Sequence, residues 1–326
     1  MLRRDFIRNG LAVCGSAMLT GPVWAAGYPS GPITVVLPLQ AGSASDVAVR
    51  RATAVLGQRM DTSFVIENLA AAAGVVGLDR LMRAKSDGQT IAALNNSIVT
   101  ILPHLQPEHV KMDTRTEFLP IAGIANIPTF FAVQGPSSIK TIKDLVDQAR
   151  KNPGKLSYSS GAVGSPQHLA TEMFCSITGV KLLHVPYRGA SQAALAVAAR
   201  EVDVMSMALS LAKPFLADGR VRLIGYSGLE RHPQFPDIPT LDEQGVPGYE
   251  YSSWVSLFAP KGVPADIVAT LRKEAMAVVN DPALQAQLVS AGLDPWPRSP
   301  EQLAAIVKND YAKWKKIIHD ANIRSS

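Results

Sequence analysis

Twice in this chain a short strand pattern breaks into a glycine and serine turn and then opens a helix, and few folds can use that arrangement. The first run is Ile33 to Asp46, ITVVLPLQAGSASD, and the second is Ser157 to His168, SYSSGAVGSPQH. A strand that passes at once into a helix puts the turn at the carboxyl end of the strand, where the first helical amides have no partner in their own ladder. Such amides face an anion well. In the second turn Ser165 is the expected N-cap and Pro166 the first helical residue; in the first, Ser45 or Asp46 is expected to open the helix. Either turn alone could be an ordinary connection, since Gly and Ser are common turn residues. Together they suggest one ligand held from two sides.

The rest of the chain repeats the same unit. Apolar runs at 33–39, 63–67 and 89–94 alternate with helical patterns near 46–60 and 74–84, giving a first α/β layer with a largely parallel sheet. After a less regular stretch, a second layer begins at Thr129 to Val133. Its strands are expected at 156–159, 181–185, 202–206 and 221–226, with helices near 141–151, 166–178, 190–199 and 211–217. A Pro- and Gly-rich segment, PDIPTLDEQGVPGYEY, leads to a strand near 253–258, and helices with no further strong strand follow. In the last of these, Leu303, Ile306, Val307, Tyr311, Trp314 and Ile318 form one apolar stripe. A tail with so little strand needs a sheet to dock on, and the first layer is the expected host. The domains are then 26–127 with 252–326, and 128–251, joined by hinge crossovers near 126–130 and 249–254. Because α/β sheets bind ligands outside the carboxyl ends of their strands, this is a clamshell that closes on a ligand.

The first 25 residues read as an export signal, with a charged start, a short apolar run and the small-residue end VWA. Arg3, Arg4, Phe6, Ile7 and Arg8 resemble a twin-arginine pattern. Removing them takes three positive charges and one negative charge from the formal +5, leaving +3. The remaining basic residues are interspersed with acids, as in KTIKDLVDQARK, which fits a solvated helix face and not a nucleic-acid surface. Cys14 leaves with the signal, so Cys175 has no internal disulfide partner.

The ordered segments YPSGPITVVLPLQAGSASDVAVR, VIENLAAAAGVVG, AKSDGQT, SYSSGAVGSPQHLATEMF, HVPYRGASQAA, ERHPQFPDIPTLDEQGVPGYE and SWVSLFAPKGVPADIVATL resemble the Bug, or TctC-like, family over nearly the whole mature chain. These are periplasmic solute receptors of tripartite tricarboxylate transporters. The resemblance implies a two-domain periplasmic binding protein fold, a clamshell of type II kind. It also implies a ligand carboxylate held by backbone amides and trapped waters, and permease subunits as membrane partners. No cofactor is expected, and no metal, since His104 and His109 with Glu108 lack the spacing of a zinc pair and the other histidines scatter. Carried over by position, the first loop is Leu39, Gln40, Ala41, Gly42, Ser43, Ala44, Ser45 and Asp46. The second is Ser160, Gly161, Ala162, Gly164, Ser165 and His168. Arg188, Gly189, Ala190, Met207 and Ala208 are expected at the far end of the cleft; Asn68 and Asp87-Gly88 read as structural turns.

Three departures from the family pattern bear on the ligand. Ser43 stands where a second glycine is usual, and Ala71 and Ala73 stand in a run usually rich in glycine, which is expected to narrow that side. The segment QAALAV lacks the acidic residue that often follows PY-x-G, so no partner for an ammonium is evident. A carboxylate with an uncharged or aromatic body is therefore expected in preference to an amino acid. The competing reading is an exported hydrolase using Ser165 or Cys175, although no G-x-S-x-G elbow is present. A receptor that feeds a sensor protein is a further alternative. His168 can be a base beside Ser165 or a packing residue of the first helical turn, and Asp46 a ligand contact or a cap. Arg188 can be a carboxylate partner or a solvated loop residue.

Overall fold

The computed structural model describes residues 27–320; the expected export signal and Cys14 lie outside them. In chain order the strands are β1 (Ile33–Leu37), β2 (Phe64–Asn68), β3 (Thr90–Asn95), β4 (Phe118–Ile127), β5 (Thr129–Gln134), β6 (Ser157–Ser160), β7 (Leu183–Pro186), β8 (Val204–Ala208), β9 (Val221–Tyr226), β10 (Ser253–Pro260) and β11 (Asp294–Arg298). The helices are α1 (Ala44–Met60), α2 (Val75–Met82), α3 (Leu102–Leu105), α4 (Thr114–Glu117), α5 (Ile142–Lys151), α6 (Pro166–Thr178), α7 (Ala190–Ala198), α8 (Leu209–Ala217), α9 (Ala265–Val279), α10 (Pro282–Ser290) and α11 (Pro300–Asp320).

These strands form two sheets, ordered β11-β4-β10-β3-β1-β2 and β7-β6-β8-β5-β9. Both are mixed, where a largely parallel sheet is the sequence expectation. β1 runs parallel to β2 and β3, and β6 to β7 and β8, but β10 is antiparallel to β3 and β4, and β5 to β8 and β9. The reason lies in the crossovers. β5 and β10 each begin where the chain has just arrived from the other sheet, so they start at the shared edge and run away from it, while β1, β3, β6 and β8 run towards it.

Two strands escape the sequence reading. β4, in the stretch read as irregular, is a ten-residue strand between β10 and β11. β11, DPWPR, carries two prolines and sits at the sheet edge, the place where a missing N–H is tolerated.

Each sheet is covered on both faces. Alternate residues of β1 serve opposite clusters: Val35 packs with Val49, Leu56 and Leu271, and Val36 with Leu78, Ile98 and Leu303. Phe131 and Phe130 divide in the same way on β5. The last helix takes part in two clusters. Leu303 and Val307 lie in a first-sheet cluster, while Trp314 and Ile318 join the cluster that holds Ile101, Leu105 and Tyr251, with the Trp314 ring 5.6 Å from that of Tyr251, so α11 runs along the first sheet and meets the return crossover. At 21 residues it is about 30 Å long.

Candidate functional site

The mixed topology brings the carboxyl ends of β1, β3, β4, β6 and β8 and the first residues of β5 and β10 to one seam. A cavity of ≈ 100 Å³ lies there. The two sides meet over it: Ser191 Oγ donates to the Gly42 carbonyl at 3.0 Å, and Gly189 packs against Gln40.

Of the expected site residues, Leu39, Gln40, Ser43, Ala44, Ser45, Gly161, Ala162, Gly164, Ser165, Arg188, Gly189, Ala190 and Ala208 line the cavity. The other six stand behind or outside it. Ala41 and Gly42 are exposed on the outer side of their turn. The Asp46 carboxylate points back into the loop, accepting from Gly42 N and Arg50 Nε at 2.9 Å and from Asn68 Nδ2 at 3.0 Å. Ser160 Oγ pairs with His184 Nε2 at 2.7 Å, and His168 Nδ1 accepts from Gly164 N at 3.1 Å. Met207 is buried in the second-sheet core, while Ser206 and Ala208 on either side of it face the cavity, as strand alternation requires.

The two turns present their amides differently. α1 is capped by Ser43, two residues earlier than the nearer of the expected caps, and its Oγ accepts from Asp46 N at 3.3 Å. Ser43 N is used by Gln40 O, so the amides of Ala44 and Ser45 are those left to face the cavity. α6 opens at Ser165 and Pro166 as expected, but Ser165 Oγ makes no capping bond and is buried without a partner. With Pro166 lacking an N–H, the amides of Gln167 and His168 remain.

Arg188 is the one charged side chain lining the cavity among the described residues, and it is exposed at the rim. Behind the first turn, burial opposes the charge on Asp46. The hydrogen bonds from Arg50, Gly42 and Asn68 outweigh it and hold the carboxyl below its ordinary value. Behind the second turn, His168 and His184 stack at 4.3 Å and Tyr158 stacks on His184 at 4.7 Å. Burial pushes both imidazoles down to about 4.

The substituted glycines resolve into separate roles. Ala72 and Ala73 adopt left-handed conformations, φ 50° and 55°, at a cost of about 1 kcal/mol each. Ala73 lines the cavity and lies opposite Gly164, whereas Ala71 is exposed and narrows nothing. Cys175 is partly buried, and burial followed by the nearby Glu172 pushes its thiol up to about 12, the opposite of a reactive thiolate. Ser165 Oγ makes no hydrogen bond to any base among the described residues.

Sequence reasoning missed Asn95, Ser97, Ile127, Thr129, Ser206, Tyr251 and Ser253, which form the inner wall. The crossovers near 126–130 and 249–254 were the available signal for four of them. Ser206 follows from Ala208 by the two-residue period of a strand.

Residues 48–323 match the family described as the tripartite tricarboxylate transporter family receptor. A Pseudomonas sp. (strain P51) protein from the tcbD-tcbE intergenic region is 34% identical over 300 residues, covering 92% of this chain and 89% of its own. Among solved structures, an R. palustris protein with adipate has a TM-score of 0.86 at 30% identity, covering 91% of this chain and 99% of its own. The periplasmic binding protein BugD has a TM-score of 0.85 at 29% identity, covering 92% and 100%. The family and these neighbours are solute-binding proteins and not enzymes. With two helix openings walling one cavity and the family match running over most of its length, the chain belongs to the TctC, or Bug-like, family of tripartite tricarboxylate transporter receptors.

Proposed function

We propose that the protein captures a small carboxylate-bearing solute between its two sheets, outside the cytoplasm, and presents it to the permease subunits of a tripartite tricarboxylate-type transporter. One observation carries this reading: two helix N-termini, each with a pair of amides its own cap leaves free, converge on one cavity with Arg188 at its rim. The adipate held by the R. palustris neighbour supports a carboxylate. Residues 26–127 with 252–326 act as one domain and 128–251 as the other, hinging near Pro128 and Ser252. Removal of the first 25 residues delivers the mature chain to the periplasm.

The site residues proposed for the carboxylate are Ala44, Ser45, Gln167, Ser165 and Arg188. The lining contains no carboxylate side chain to pair with an ammonium, so a ligand with an uncharged body is preferred over an amino acid. Thermal unfolding with added carboxylates tests the reading, because a ligand bound only by the folded state raises the midpoint with its concentration. Chromatography should return the ligand intact after long incubation. Turnover of the ligand, or no carboxylate raising the midpoint, would overturn the proposal.

A further inference from the structure

Inward from the helix openings the cavity wall is largely apolar and uncharged, but three polar groups face it. Asn95, at the end of β3, is 1% exposed. Its Oδ1 accepts from Ile98 N at 3.1 Å and Ser97 Oγ at 2.8 Å, which fixes the orientation of the amide and leaves Nδ2 as the unpartnered end. Ser206 on β8, from the opposite sheet, is fully buried with an unpartnered Oγ. Tyr251, at the return crossover, is 2% exposed; its hydroxyl makes no hydrogen bond of good geometry, though the Asn96 side chain stands beside it. Burial keeps that phenol neutral. All three residues line the cavity.

Buried donors without partners are rare because leaving them unpaired is costly, and three around one cavity mark the place of a ligand atom. Asn95 Nδ2 can only donate, while the two hydroxyls donate or accept, so one atom serving all three has to accept. An ammonium would meet the donor-only Nδ2 and be buried without a carboxylate to pair it, and an alkyl end would leave all three unpaired. A second carboxylate could accept, but it would be buried without a cation, and the nearest amides are already used: Ile98 N on Asn95 Oδ1 and Leu209 N on Pro128 O. An uncharged oxygen meets the wall without that penalty.

The sheet order sets where this oxygen falls. β3 is the neighbour of β1, and β8 of β6. Adjacent strands lie about 5 Å apart, so Asn95 and Ser206 stand one such step inward from the two helix openings. Building on the carboxylate-receptor reading, we infer that the solute is a monocarboxylate carrying a neutral oxygen, as hydroxyl, ketone or amide, that Asn95 and Ser206 read about one strand spacing from the carboxylate.

Calorimetric titration of the mature protein with two matched sets of acids tests this. One set is γ-hydroxybutyrate, butyrate, γ-aminobutyrate and succinate; the other is ω-hydroxyhexanoate, hexanoate, ω-aminohexanoate and adipate. In at least one set the hydroxy acid should bind about tenfold or more tighter than each of the other three, because a site built to hydrogen-bond an oxygen discriminates against analogues that lack it. Ser206→Ala should shrink the ratio between hydroxy and alkyl acid. Asn95→Asp retains an acceptor for Ile98 N but replaces the free donor with a carboxylate, and should turn the preference towards the amino acid. Thermal unfolding of both variants without ligand checks that they fold, and the wild-type ranking decides the matter if either does not. A diacid, alkyl acid or amino acid binding as tightly as the hydroxy acid in both sets overturns this inference and leaves the receptor reading standing. If no acid of either set binds, both fall.

Discussion

The two helix openings that face each other across the cavity have the same outline and opposite support. Behind the first, an ionised Asp46 gathers Gly42 N, Arg50 and Asn68, and Asn68 Nδ2 also donates to the Leu39 carbonyl at 3.0 Å. Behind the second, a neutral imidazole accepts from Gly164 N and is backed by a stack of His184 and Tyr158, whose hydroxyl donates to Glu172 at 2.5 Å. A loop of free amides can thus be braced by charge or by packed rings. The choice has a consequence at the helix cap. In the first turn Ser43 spends its hydroxyl on Asp46 N, while in the second Ser165 keeps its hydroxyl for the cavity.

The largest expected effect comes from breaking the second turn. A Cβ added at Gly161 would lie 2.7 Å from Ala190 N, a backbone atom that cannot swing aside, whereas one at Gly189 would meet the flexible Gln40 side chain at 3.2 Å. Gly161→Val should therefore abolish carboxylate binding in calorimetry while costing about 1–3 kcal/mol of stability as overpacking. Gly189→Ala should retain binding, and equal losses in the two variants would contradict that difference in close approach.

Acid separates the two braces. His168 and His184 stay neutral in the folded protein down to about pH 4, whereas the unfolded chain takes up protons from its ordinary value of 6.5. Their contribution to stability is complete above 6.5, is lost as pH falls towards 4, and falls no further below that. For the buried His168 the slope is up to about 1.4 kcal/mol per pH unit. The lowered value of Asp46 works in another window, since its contribution is lost only as pH falls below the ordinary carboxyl value of 3.8. Urea unfolding across this range should show the second turn's histidines acting first. His168→Asn, which offers an amide oxygen near the place of Nδ1, should flatten the slope between 6.5 and 4; an unchanged slope would clear His168 of it.

Asp46→Ala should come next in size. It strips Arg50 and Gly42 N of their acceptor, but Arg50 is half exposed and Asn68 keeps its bond to Leu39, so the loss is about 2 kcal/mol by urea unfolding and not the larger cost of a stranded buried charge. A loss as small as that of a surface pair would show that the brace is ornamental.

Both openings were legible in the sequence because each rests on local chemistry: a short strand pattern, a glycine, a serine at the helix start. Their supports were not, because they are long-range. Nothing near Asp46 in the chain shows that Asn68 closes on it, and His184 reaches Ser160 only because β7 lies beside β6. The inner wall was hidden for a different reason. Asn95, Thr129 and Ser253 come together because β5 and β10 run against their neighbours, and strand direction is a property of the whole sheet that no window of residues carries. β11 was hidden by its prolines, which argue against a strand everywhere except at an edge.

The smallest effect tests whether the charge of the first brace is felt at the cavity. Arg50→Ala leaves Asp46 with its bonds from Gly42 N and Asn68 and removes a half-exposed partner, so stability should fall by less than about 1 kcal/mol. Binding should respond differently. With Arg50 present the pair is neutral overall; without it, an uncompensated carboxylate stands directly behind Ser45 and Ala44 and repels an anion held there. Affinity for a carboxylate should drop a few-fold at low ionic strength and recover at high salt, since at 0.15 M charges are screened over about 8 Å. The same acid titrated against His168→Asn should show no such salt dependence, because replacing a neutral imidazole with an amide uncovers no charge. Matching salt profiles in the two variants would mean that the braces differ in how they hold the loops and not in what the ligand experiences.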